Sequence, residues 1–151
     1  MTQKVIISLT GFQFMQGEDD TEPVEVISTG EYYFRGGKHY VLYDELTEGF
    51  DEPTHNFIKF NDSRLSVRKK GLLNVEMIFE KDKHTNALYM TPMGGMDLGI
   101  SATDFRLTES EDRIELHVDY SMTIEEEYTA DCQIDMVICS KIDGNFSLKR
   151  A

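Results

Sequence analysis

The chain has 151 residues, with 28 Asp and Glu against 15 Lys and Arg, for a formal net charge of −13. That length is a prior for a single domain, here residues 1–151, able to bury roughly 68–70% of its unfolded surface without disulfides or metals. The charge excludes the usual basic footprint of a nucleic-acid binder and opposes an anionic membrane surface, so neither is expected as a partner.

Alternation of apolar and polar residues runs through the sequence, and no segment has a helical period. The first strand is expected over about Lys4 to Phe14. Its opening, MTQKVIISLTGF, lacks the apolar core and cleavage site of a signal peptide. No apolar run approaches the ~20 residues of a membrane helix, so the expected location is the cytoplasm. The acidic stretches Gly17 to Glu22 and Thr47 to Glu52 read as solvated loops.

Gly36-Gly37 reads as a two-residue turn of the kind that needs positive φ. It sets Phe34 opposite His39, Tyr32 opposite Val41, Gly30 opposite Tyr43 and Ser28 opposite Glu45. A turn at Asp62-Ser63 pairs Phe60 with Leu65 and Ile58 with Val67. A turn centred on Gly71 pairs Lys69 with Leu73, and Val75, Met77 and Phe79 carry that face on towards Ala87. Gly94-Gly95 reads as the next tight turn, with Met93 facing Met96 and Thr91 facing Leu98. A strand rather than a helix follows it, which argues against a phosphate loop. A phase shift after Ala102 reads as a β-bulge.

The last hairpin is the most regular. Ile114, Leu116, Val118, Tyr120, Met122 and Ile124 share one face, and Tyr128, Ala130, Cys132, Ile134, Met136 and Ile138 share one face of the next strand. An odd-length Glu125-Glu126-Glu127 loop brings both faces to the same side, with Tyr120 opposite Cys132. Cys132 and Cys139 have odd spacing, point to opposite faces and cannot bridge each other. The expected fold is therefore all-β: an antiparallel meander of about ten strands, closed into a barrel because closure removes exposed edges. Ten strands leave room for a small ligand.

The segments YVLYDE (40 to 45), THNFIKF (54 to 60), Val67 to Gly71, and YMTPMGG (89 to 95), followed by Thr103 and Tyr120, come in a familiar order. The chain resembles the YwiB-like proteins, a bacterial family with a domain of unknown function. The resemblance covers nearly the whole chain and implies a calycin barrel, similar in shape to lipocalins. The family tends to carry Arg two residues before the glycine, where this chain has Lys69; a lone ammonium lacks the bidentate fork of a guanidinium. No activity comes with the resemblance.

Polar residues on inward phases are the candidate site: Tyr43, Glu45, Lys69, Tyr89, Thr91 and Tyr120, with Ser28, His39 and Asn56 on the same phases. A buried charge must be paired, so Glu45 and Lys69 are expected to pair inside or at one mouth of the barrel, with Tyr43, Tyr89 and Tyr120 hydrogen-bonded nearby. Apolar walls with a few convergent polar groups describe a ligand pocket; the same residues also fit a purely structural network. His117 is expected to face Asp135 on the outer face, with Asp119 diagonal to it. No metal-ligand spacing, cofactor fingerprint or catalytic motif is present, so no cofactor or metal is expected. Two roles stay open: a barrel holding a small, partly apolar molecule, and an interaction scaffold whose acidic outer face meets a basic partner. An enzyme built from Glu45 and the tyrosines has less support, and an oligomer is compatible with either role.

Overall fold

In the computed structural model the described residues, 3–11, 25–46, 49–125 and 127–140, form ten strands and no helix. They are β1 (Gln3–Thr10), β2 (Glu25–Arg35), β3 (Lys38–Glu45), β4 (Thr54–Phe60), β5 (Arg64–Gly71), β6 (Val75–Glu80), β7 (His84–Thr91), β8 (Gly94–Glu109), β9 (Arg113–Ile124) and β10 (Glu127–Ser140). All belong to one antiparallel sheet in the order β6-β5-β4-β3-β2-β1-β10-β9-β8-β7. The sheet curls until β6 and β7 meet. There the ladder is replaced by an isolated bridge, Asn74↔Met90, with two backbone hydrogen bonds of 2.9 and 2.8 Å. The barrel is thus zipped between its first and last strands and only tacked between two strands that are neighbours in sequence.

Alternation places the core. Ile7, Val41, Ile58, Met77, Phe79 and Val118 are completely buried on inward phases, with Phe60, Leu65, Leu98 and Ile100 nearly so. Each such side chain contributes about 1.5–3 kcal/mol relative to exposure. Met77, Met122 and Met136 are core residues, whereas Met93 is 92% exposed.

The turn at Gly36-Gly37 forms as expected, with both glycines at positive φ (60° and 80°), Phe34 opposite His39 and Tyr32 opposite Val41. The Asp62-Ser63 turn also holds, with Phe60 opposite Leu65. Four registers differ. The β7–β8 turn is Pro92-Met93, not Gly94-Gly95, since Thr91 pairs with Gly94 and Tyr89 with Met96. Pro92 pre-sets the first central position of a turn, and the glycine follows it. The Thr91 hydroxyl locks this turn, donating to the Gly94 carbonyl (3.0 Å) and accepting from the Met93 amide (3.1 Å). Lys69 pairs with Val75 rather than Leu73, because the turn widens around Gly71 at φ 136° and Asn74 caps it through Gly71. Both shifts are by an even number of residues, so no side chain changes face.

In the last hairpin Ile124 pairs with Glu127, and a bulge between Tyr128 and Ala130 restores the expected Tyr120↔Cys132 register. The bulge after Ala102 is present. The fourth difference is at β2–β3, where the ladder stops at Glu31↔Leu42. Gly30 and Ser28 do not pair with Tyr43 and Glu45; β2 follows β1 while β3 follows β4. Gly30 sits at the fork, where a Cβ would lie 2.5 Å from the Leu42 carbonyl and 2.8 Å from Ile7 Cδ1. The run from Val75 to Ala87 is two strands, β6 and β7, divided at Asp82 (φ 64°). β1 ends at Thr10, and Phe12 to Phe14 lie outside the described residues, as does the expected acidic loop Gly17 to Glu22.

Candidate functional site

Glu45, Asn56 and Lys69 lie on three successive strands. Lys69 is opposite Asn56, Asn56 is opposite Tyr43, and Glu45 is two residues beyond Tyr43 on the same face. Strand spacing alone therefore brings the three heads together as a diagonal row. Lys69 Nζ donates to Glu45 Oε1 at 2.8 Å and to Asn56 Oδ1 at 2.8 Å, and Asn56 Nδ2 donates to the same Glu45 oxygen at 2.8 Å. The burial is uneven: the Lys69 side chain is 7% exposed and that of Glu45 31%. The ammonium is locked inside while the carboxylate reaches a mouth of the barrel, and Glu45 Oε2 has no partner among the described residues.

Tyr43 and Tyr89 frame this row. Burial, and then the nearby Glu45 charge, push both phenols above the ordinary tyrosine value, Tyr43 far above it. Both hydroxyls stay protonated at neutral pH. The expected ion pair is thus in place, with Asn56 hydrogen-bonded to both of its members. Tyr120 is not part of the row: its ring packs edge-on against Phe79, centroids 4.9 Å apart, and Phe79 lies four residues along β6 from Val75, the partner of Lys69. Its buried hydroxyl meets no conventional hydrogen-bond partner. The Cys132 thiol is beside it, and burial raises both groups. Thr91 lies in the β7–β8 turn, its hydroxyl spent on that turn.

The opposite end of the barrel is arranged differently. His39 is buried, stacked on Phe60 at 4.7 Å and touched edge-on by Phe34 at 4.9 Å. Its Nδ1 lies 2.8 Å from the Tyr32 hydroxyl and its Nε2 3.4 Å from Glu109. Burial, then the Glu109 charge, raises the Tyr32 phenol. His39 is on β3 and Glu109 on β8, on opposite sides of the strand circle, so this contact reaches across the barrel end. Sequence reasoning placed His39 inward but missed Tyr32 and Glu109 as its partners, because no local pattern relates strands that do not pair. On the outer face His117 stands between Asp135 (2.6 Å at Nδ1) and Asp119 (2.9 Å at Nε2), as expected. No group of three or more His, Cys, Asp or Glu among the described residues has metal-binding geometry. No helix among them is long and apolar enough to cross a membrane.

The chain is similar to the ywiB protein from Bacillus subtilis, whose crystal structure superimposes with a TM-score of 0.74 at 16% sequence identity, covering 92% of each chain. At that identity the likeness shows the barrel fold alone. No curated protein matches. Residues 7–136 match the domain of unknown function DUF1934, and the chain belongs to that family.

Proposed function

We propose that this protein binds a small, partly apolar molecule at the barrel mouth marked by Glu45. The observation that carries the reading is the uneven burial of the Lys69–Glu45 pair. Here a desolvated cation and Asn56 hold one carboxylate oxygen and leave the other without a partner among the described residues. The Tyr43 and Tyr89 phenols lie close enough to feel the Glu45 charge. The set suits a polar head that both donates and accepts, such as a hydroxyl or amide, with an apolar body turned inward. Apolar walls with few convergent polar groups are the usual form of such sites, and calycin barrels offer the analogy of shape. The His39–Glu109 contact at the far end favours one entrance over two.

The test is native mass spectrometry of protein purified from its own host, followed by organic extraction. A recurring adduct in the wild type that is lost in Tyr43→Phe and Lys69→Met variants supports the reading. A clean apo mass for all three leaves the alternative, an interaction scaffold with a filled interior. That second reading has its own support in the dense ring of fully buried side chains, Phe60, Phe79, Ile58 and Met77 among them.

A further inference from the structure

The outer wall of the barrel segregates charge in a way that composition conceals. Arg35, Lys38, Lys59, Arg64, Arg68 and Lys70 all project outward from the sector β2 to β5, and all are exposed. None of the six makes an ion pair within 4.0 Å among the described residues, whereas Lys4, Lys69, Lys83, Arg106 and Arg113 do and, of the described cations elsewhere, Lys81 alone does not. Arg64 and Arg68 even stand opposite Glu80 and Glu76 in the ladder without closing on them. In a protein with nearly twice as many acidic as basic residues, six unneutralised cations on one face are not a matter of supply. The opposite wall is acidic, with Glu115, Asp119, Asp131 and Asp135 on β9 and β10. β4 and β9 are five strand steps apart either way, through β3, β2, β1 and β10 or through β5, β6, β7 and β8.

Aromatic and apolar groups interleave with these cations. Phe57 is 41% exposed at the centre of the patch, between Leu42 and Arg68 in one cross-strand row. Tyr33 and Tyr40 stack on each other at 4.7 Å along its margin. A groove of about 480 Å3 runs between Leu42 and Phe57, edged by Asp44, His55, Arg68 and Lys70. The basic area spans two strand spacings, about 10 Å, by the six residue steps from Arg64 to Lys70, about 20 Å. Carboxylates bound it on both sides: Glu31 and Asp44 towards β2, Glu76 and Glu80 on β6.

We propose that this face docks a short acidic segment of a partner protein, extended over β3 to β5, with one aromatic or aliphatic side chain seated against Leu42 and Phe57. The cations supply charge complementarity and orientation, and the apolar groove supplies the anchor that interfaces need at their centre. The carboxylate margins favour a segment of about five or six residues over a polyanion, because a continuous phosphate chain would run off the patch onto acidic surface. The proposal is independent of the mouth at Glu45, whose side chains face the other way.

The experiment is selection of a random dodecapeptide display library on the immobilised wild-type protein, with selected peptides synthesised and measured by fluorescence anisotropy. Expected are peptides enriched in Asp and Glu around a large apolar residue. Their binding should weaken about ten-fold or more both in the Lys59→Glu, Arg68→Glu, Lys70→Glu triple variant and on raising salt from about 50 to about 300 mM. All three side chains are exposed, so the variant should fold; circular dichroism checks this. Asp131→Lys on the opposite wall should leave binding unchanged. Peptides without acidic enrichment, or bound equally by the triple variant, would overturn the proposal. So would an oligothymidylate that binds more tightly than any selected peptide and displaces it, which would assign the face to single-stranded nucleic acid.

Discussion

Glu45 and Lys69 are one interaction seen from two environments, and the two sides respond differently to mutation. Glu45→Gln leaves a 7% exposed ammonium with a neutral amide where its counter-charge stood, although Asn56 still accepts from it. That should cost about 2–3 kcal/mol, below the 3–5 kcal/mol of a fully buried broken pair. Lys69→Met removes the buried charge with a side chain of similar length, and the stranded carboxylate can turn to solvent. That should cost about 1 kcal/mol or less. Urea unfolding of the two variants checks the order; equal losses would mean the pair is more symmetrically solvated than its exposures indicate. His117 gives the pH counterpart. Its hydrogen bond to Asp135, then the charges of Asp135 and Asp119, raises its pKa above 6.5. A raised folded-state value means stability that is fully present below the unfolded pKa and lost as pH rises through the folded one. His117→Gln should therefore cost about 1 kcal/mol near pH 6 and much less near pH 9. Both groups were legible in the sequence, because alternation and a hairpin register suffice to put them in contact. The Tyr32–His39–Glu109 cluster was not, since its members come from walls related only by closure.

The turns show where reading by pattern succeeds and where it slips. At Gly36-Gly37 two glycines at positive φ have nothing within 4 Å of a hypothetical Cβ, so conformation alone demands them. Gly37→Ala should cost about 1 kcal/mol, whereas Gly36→Asn should be near neutral, since Asn accepts that turn conformation. Gly71 is held by both conformation and space: φ is 136° and a Cβ would lie 2.3 Å from the Pro53 carbonyl. Gly71→Ala should therefore be the worst of the three, at about 2 kcal/mol or more, measured by thermal unfolding of the set. The same pattern misled at Gly94-Gly95. There a proline one pair away competes for the turn, and local chemistry favours Pro92 at its first central position. The faces survived that error because the slip was even. The splay of β2 from β3 beyond Glu31 was invisible to pairing rules, which extend a ladder for as long as alternation lasts. What ends it is the commitment of each strand to its other neighbour, a tertiary choice.

At the scale of the molecule, −13 charges on a barrel of this size oppose compactness. Raising salt from about 20 to about 300 mM should raise Tm by a few degrees through screening, read by differential scanning fluorimetry in chloride. A fall in Tm would mean that the surface ion pairs outweigh the net repulsion. Composition reported the sum of the charges faithfully but not their division between two walls, because a residue count carries no information about which strands become opposite. Only the strand order of the closed sheet does that. That order has one more consequence. Read around the barrel from β7 through β10 to β1 and on to β6, every strand follows its neighbour, and Gln3 lies within 3.2 Å of Ser140 across the β1–β10 junction. A circular permutant opened between β6 and β7 and linked from β10 to β1 would be a plain up-and-down ribbon. Its longest loop closure would become a weak bridge instead of a full ladder. Lower contact order speeds folding, so the permutant should fold faster than the parent, with nearly all of the same contacts in the native state.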